Sequence, residues 1–195
     1  YTSSGIKDIA LIVKDANGCF DTAVAKHRVY PQPLAKISAS ATAICLTETI
    51  SFNNATDSFP KISSVAWAFK DGVKDSANTS GPHKISFKSA GTKTIRLYVT
   101  SDQGCTHDTA ISVTVYQNPN ALISSKDSSL CLRGNSFAFT DGGSSAATNS
   151  NINSYDWTFK SNASPSSASG KGTHTVVFSS IGTKSVQLIV KDDKG

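Results

Sequence analysis

The chain has 195 residues, a formal net charge of +5 and 38% hydrophobic residues. That is enough for one large or two modest cores but low for an enzyme core of this length, and no stretch reaches the ~20 apolar residues of a membrane-spanning helix. Ser and Thr supply about a quarter of the chain, Glu occurs once (Glu48) and Met is absent, a balance that favours strands over helices. Lysine carries most of the charge, set singly at positions such as Lys7, Lys36, Lys84, Lys93 and Lys184. A nucleic-acid site would cluster Arg and Lys around aromatics, so the charge reads as solubility and edge protection on exposed faces, with no nucleic-acid partner.

In chain order, "DIALIV" and the stretch after its Asn-Gly turn open the sequence as two strands, F and G, within residues 1–31. The next repeat predicts strand A near 34–39, B near 50–54, C near 64–70, D near 74–78, E near 83–87, F near 92–100 and G near 106–116, from apolar residues recurring at every second position. On F, Ile95, Leu97 and Val99 share a face. On C, Val65, Trp67 and Phe69 do, and Phe52, Phe87 and Val113 complete the expected core. "SFAFT", "YDWTFK" and "SVQLIV" repeat strands B, C and F further on, with Trp157 and Phe159 as the matching core pair.

The repeat has a measurable period. Cys19 to Cys105, Cys45 to Cys131 and Tyr30 to Tyr116 are each 86 apart, whereas Trp67 to Trp157 is 90 and His83 to His174 is 91. The later copy thus carries about five extra residues, inside "TDGGSSAATNSNINS" and "SNASPSSASGKG", which read as surface loops. A period this long suits an array of small domains rather than a solenoid. The expected division is residues 1–31 as the last two strands (F and G) of a partial sandwich, 32–117 as a complete sandwich and 118–195 as a sandwich lacking its last strand. Without an initiator Met or a signal peptide, the sequence reads as a window onto a longer chain. The fold class is all-β, a series of tandem Greek-key sandwiches of immunoglobulin type.

Three motifs carry a family resemblance. "WAFKDG" at 67–72, "GPHKISF" at 81–87 and "GTKTIRLYV" at 91–99 resemble the strand-C, strand-E and strand-F signatures of the PKD domain, and "WTFKSN", "GTHTVVF" and "GTKSVQLIV" repeat them. Lys70 departs from the family's first Gly, and Lys160-Ser161-Asn162 replaces Gly-Asp-Gly. The arrangement is similar to arrays in giant cell-surface adhesins of gliding, Bacteroidetes-type bacteria exported by the type IX route. This resemblance implies an extracellular, cell-surface stalk segment of a repeat adhesin or filament. Its partners would be neighbouring repeats of the same chain and surface polysaccharide or other surface ligands. The alternative is a carbohydrate-binding accessory module of a secreted hydrolase, which requires an exposed aromatic strip.

No nucleophile, base and carboxylate recur together, so no catalytic residue is expected. Cys19, Cys45, Cys105 and Cys131 are disulfide candidates; without a Cys-x-x-Cys spacing they do not suggest a metal site. Two pairings stand open. Cys45 and Cys105 fall at opposite ends of an immunoglobulin-type sandwich, so a bond between them needs an irregular segment between strands A and B. The other pairs Cys45 with a cysteine expected directly after Gly195, stapling neighbouring domains. His83 and His174 read as structural hydrogen-bonding residues at a turn, and His27 and His107 as exposed strand residues. Asp57, Asp71 and Asp75 could hold calcium with backbone carbonyls, a ligand that some PKD domains take; no other cofactor is expected. "DTA" at 21–23 and 108–110 and "DSA" at 75–77 resemble a Bacteroidetes O-glycosylation motif, which marks Thr22, Ser76 and Thr109.

Overall fold

The computed structural model describes residues 1–194. The described residues form seventeen strands and no helix, in keeping with the Thr-, Val- and Ile-rich composition. By Cα proximity the chain divides into two compact units. One comprises Tyr1–Ala41, Ile50–Ile85 and Lys93–Val113; the other comprises Thr42–Thr49, Ser86–Thr92 and Thr114–Gly195.

The first unit opens with a hairpin. β1 (Gly5–Lys14) pairs antiparallel with β2 (Phe20–Val29) in continuous register from Gly5↔Val29 to Lys14↔Phe20. The carboxylate of Asp15 closes the turn by accepting the amides of Asn17 and Cys19. The hairpin residues are exposed almost throughout. Next in the chain come β3 (Ile37–Ala39), β4 (Ala43–Cys45), β5 (Ile50–Asn54), β6 (Ile62–Phe69), β7 (Ser76–Ala77), β8 (His83–Ile85), β9 (Gly91–Ser101) and β10 (Thr106–Tyr116), of which β4, the first two residues of β9 and the last three of β10 fall in the second unit. They make a three-stranded sheet in the order β3-β5-β8 and a five-stranded sheet in the order β4-β10-β9-β6-β7. Inward residues alternate along every strand. Ile50 and Phe52, Trp67 and Phe69, Ile85, then Ile95, Leu97, Val99 and Val113 are all buried, and each side chain of this size contributes about 1.5–3 kcal/mol by leaving water. Trp67 stacks on Phe69, their rings 5.6 Å apart, and Phe69 meets Phe52 at 5.9 Å. The expected core residues, Phe87 included, are buried.

The predicted strand edges shift by up to three residues, and one strand was not expected. β4 lies where a turn was read, and it runs parallel to the end of β10, with Ala43 opposite Thr114 and Cys45 opposite Tyr116. Lys93 is a second correction. It was assigned to an exposed face, yet it is 6% exposed and its ammonium meets the Asp71 carboxylate. Its place on β9 explains this: Lys93 is two residues before Ile95, on the face that points inward.

In the second unit, residues 114–194 add β11 (Ile123–Ser125), β12 (Phe137–Asp141), β13 (Ile152–Phe159), β14 (Ala163–Ser164), β15 (Ser167–Ser169), β16 (His174–Phe178) and β17 (Val186–Asp192). The sheets are β11-β12-β16-β14 and β15-β13-β17. Their core joins Phe139, Trp157, Phe159, Val176, Phe178, Leu188 and Val190. The extra residues of this copy split the D region into β14 and β15 and extend the loop after β12. That loop is anchored rather than free: Ala147 is buried and its amide donates to Asp192 Oδ2 at 3.4 Å.

Candidate functional site

The histidines of the "P-x-H" and "G-T-H" motifs are structural. Trp67 Nε1 donates to the Thr79 carbonyl at 3.0 Å, and His83 Nε2 bonds the same oxygen at 2.9 Å, with the imidazole edge-on to the indole at 5.6 Å. A carbonyl only accepts, so Nε2 carries the proton. The later copy repeats the arrangement on Gly170, with Trp157 at 3.0 Å and His174 at 3.0 Å. Each pair satisfies its buried polar atoms and ties strand C to the loop before strand E. His27 is exposed as expected, but His107 is half-buried: its Nδ1 accepts the Ala35 amide at 3.1 Å, holding the segment before β3 against the start of β10.

The acidic candidates are dispersed. Asp57 pairs with Lys36 at 2.7 Å and Asp71 with Lys93, while Asp75 offers its backbone carbonyl to the Phe69 amide at 2.8 Å. Among the described residues no group of three His, Cys, Asp or Glu gathers around a metal-sized space. Of the glycosylation candidates, Thr22 and Ser76 are exposed, whereas Thr109 is half-buried on the same face of β10 as Ile111 and Val113.

Among the described residues no cysteine is bonded to another. Cys105 directly precedes β10 and Cys45 lies opposite its last residue, Tyr116. Ten steps of about 3.3 Å along a strand separate those ends by roughly 33 Å, far beyond the ~7 Å Cα reach of a disulfide. Cys45 instead belongs to a tight turn with the only glutamate. Its amide donates to Glu48 Oε2 at 2.9 Å, and the Glu48 amide donates back to its carbonyl at 3.0 Å. Burial, then the carboxylates of Glu48 and Asp192, push the Cys45 thiol up. Nearby, Lys194 Nζ stands 5.8 Å from the Tyr116 ring centre. The turn after β17 thus meets the end of β10 at Tyr116, a contact that the sequence did not announce.

The other pole of β10 holds the chain where it enters this repeat. Gln32 Nε2 donates to the Thr106 carbonyl at 2.9 Å. Residues 32 and 116 therefore sit at opposite ends of the same strand. A cavity of about 720 Å³ in the second unit is open to solvent and is lined by Leu130, Leu132, Phe137, Phe139, Phe178 and Val186, among others. The exposed aromatics are dispersed: Phe20 on β2, Phe59 in the loop before β6 and Tyr98 on β9, with Tyr1 before β1 and Tyr30 after β2.

The family model of the PKD domain matches residues 30–115, the stretch holding the Trp67–His83 turn and all of β10 but its last residue. These residues form a β-sandwich of PKD/immunoglobulin-like type. No curated protein matches the chain. A solved structure described as "Structural basis for the promiscuous specificity of the carbohydrate-binding modules from the beta-sandwich super family" is similar at 14% identity and a TM-score of 0.39, covering 83% of this chain and 84% of its own. A likeness that distant carries no argument about ligands.

Proposed function

We propose that the chain is a load-bearing stalk segment of a long extracellular repeat adhesin or filament, with cell-surface adhesion as its role and gliding motility as its setting. The parallel pairing of β4 with the end of β10 carries this reading. The chain enters near Thr106 and leaves after Tyr116, at opposite poles. Tension along the array therefore pulls the entering segment and β10 in opposite directions along their own axes. The β4–β10 hydrogen bonds, among them Thr114 N to Thr42 O at 2.9 Å, are then loaded together in shear rather than one at a time.

The approach of Lys194 to Tyr116, beside Cys45, extends the same design. In the central repeat Cys105 follows Ser101 by four residues, and Asp192 is the counterpart of Ser101. A cysteine four residues beyond Asp192 would lie on the turn that meets Tyr116, beside Cys45, and could staple the two repeats. Proline-containing junctions, "YPQP" at 30–33 and "YQNP" at 116–119, restrict bending at both poles.

Thr114→Pro tests the shear clamp. It removes one donor to the β4 side and is expected to lower equilibrium stability by about 1–3 kcal/mol, and to lower the end-to-end unfolding force in single-molecule extension. An unchanged force would remove the mechanical argument.

A further inference from the structure

Along β9, Ile95, Leu97 and Val99 point into the core, so Arg96 and Tyr98 between them point outward. The Arg96 guanidinium carbon lies 5.8 Å from the centre of the Tyr98 ring, within cation–π range. From β10, on one edge of β9, Asp108 Oδ2 stands 3.6 Å from Arg96 Nε, close enough to pair but too long for a hydrogen bond. The two charged side chains are 49% and 47% exposed, and Tyr98 is 43% exposed. From β6, on the other edge, the residues opposite Arg96 and Tyr98 are Ala68 and Ala66, both exposed. The ring, the guanidinium and the carboxylate therefore stand above an alanine floor. The scaffold does not require them. The later copy keeps the inward triad as Val186, Leu188 and Val190 but has Gln187 for Arg96 and Ile189 for Tyr98. The opening hairpin, counted by the 86-residue period, has Ala10, Ile12 and Thr22 at the three positions. An ion pair this exposed also adds little to stability.

From these observations we infer that Arg96, Tyr98 and Asp108 form a binding site for one unit of a neutral saccharide chain. The cluster is formally neutral, because the guanidinium offsets the carboxylate. An anionic ligand would meet Asp108 and a cationic one Arg96, so charge favours an uncharged occupant. A hydroxyl donates and accepts at once, and here a group that only donates lies beside one that only accepts. Adjacent hydroxyls of a sugar use both. The C–H face of a pyranose is apolar and lies on the negative face of an aromatic ring, which Tyr98 supplies. Ala66 and Ala68 leave the surface over β6 low, so the chain continues across it without a clash. One ring holds one sugar unit, which places the affinity on the order of 1 mM. The inference concerns this cluster alone and does not depend on the stalk reading.

The test titrates the whole chain with cellohexaose, maltohexaose and mannohexaose, and with an oligogalacturonate as the anionic control, while amide NMR shifts are followed. At least one neutral oligomer is expected to give saturable shifts centred on Ala66, Ala68, Arg96, Tyr98 and Asp108, with the control binding more weakly. Tyr98→Ile and Arg96→Gln install the residues that the later copy carries at these positions, so both variants are expected to fold with an unchanged unfolding midpoint. Each is expected to weaken binding at least about tenfold. Absence of shifts with all three neutral oligomers, shifts centred on other strands, equal or tighter binding of the oligogalacturonate, or undiminished binding by the two folded variants would overturn the assignment. Should either variant fail to fold, Asp108→Asn on the exposed face replaces it, with the same expected weakening and the same contrary result.

Discussion

Asn135 shows what one polar side chain does in a small sandwich. It is buried, and its amide nitrogen donates to the carbonyls of Leu132 at 2.6 Å and Phe178 at 2.9 Å while its oxygen accepts the Phe178 amide at 2.7 Å. The side chain thus imitates a strand partner for the end of β16. Asn135→Ala is expected to destabilise the second unit by about 2–4 kcal/mol, because it leaves buried backbone groups unpaired; urea unfolding measures this. Asp192 acts similarly. Burial would raise its carboxyl, but the amides of Lys194 and Ala147 and the Ser150 hydroxyl outweigh that and hold it below the usual carboxylate value. Asp141 is held low by Ser144 first. Both are depressed in the folded state, so their stabilisation is present above the unfolded pKa of about 3.9 and is lost as pH falls through the lower folded values. The unfolding midpoint of this unit is expected to drop between pH 5 and about pH 2–3, and Asp192→Asn to flatten that dependence. The core pairs and the turn histidines were legible because period-2 alternation and repeated spacing marked them. Lys93 and Asp192 were marked in the same way, each in phase with an apolar triad, but charge suggested solvent; only the partner that offsets burial, Asp71 for Lys93, was invisible in one dimension. Asn135 carried no signal, since the partner that it bonds twice, Phe178, lies 43 residues away.

The strands differ in how far they are supported. β9 lies between two neighbours over a buried face, whereas among the described residues β1 and β2 pair with each other alone and leave Ile9, Leu11 and Val13 exposed, although these are the counterparts of Ile95, Leu97 and Val99. An isolated two-stranded hairpin is marginal in water. Native-state hydrogen exchange is therefore expected to be slowest on β6 and β9 and fastest on β1 and β2, with the two sets differing by several kcal/mol of opening free energy. Equal protection of the hairpin and β9 would contradict this ranking. Long alternating strands such as β9, β10 and β13 were readable from sequence. β4 was not, because three residues between turn signals show no period; what makes it a strand is the edge of β10, a tertiary partner.

For the whole molecule, the central claim is that the repeat is built to be pulled from its ends. β10 joins the two poles, with Gln32 fastened at its first residue and β4 laid parallel to its last three. The most direct measurement places single-molecule handles on the full chain in two geometries. Handles at residues 31 and 118 load β4 against β10 in shear; handles at 46 and 117, which lie side by side because Cys45 is opposite Tyr116, unzip the same bonds one at a time. End-to-end pulling is expected to give one cooperative rupture at clearly higher force, with a contour gain of about 260 Å for the released residues. Equal forces in the two geometries, or a lower force end to end, would contradict the account.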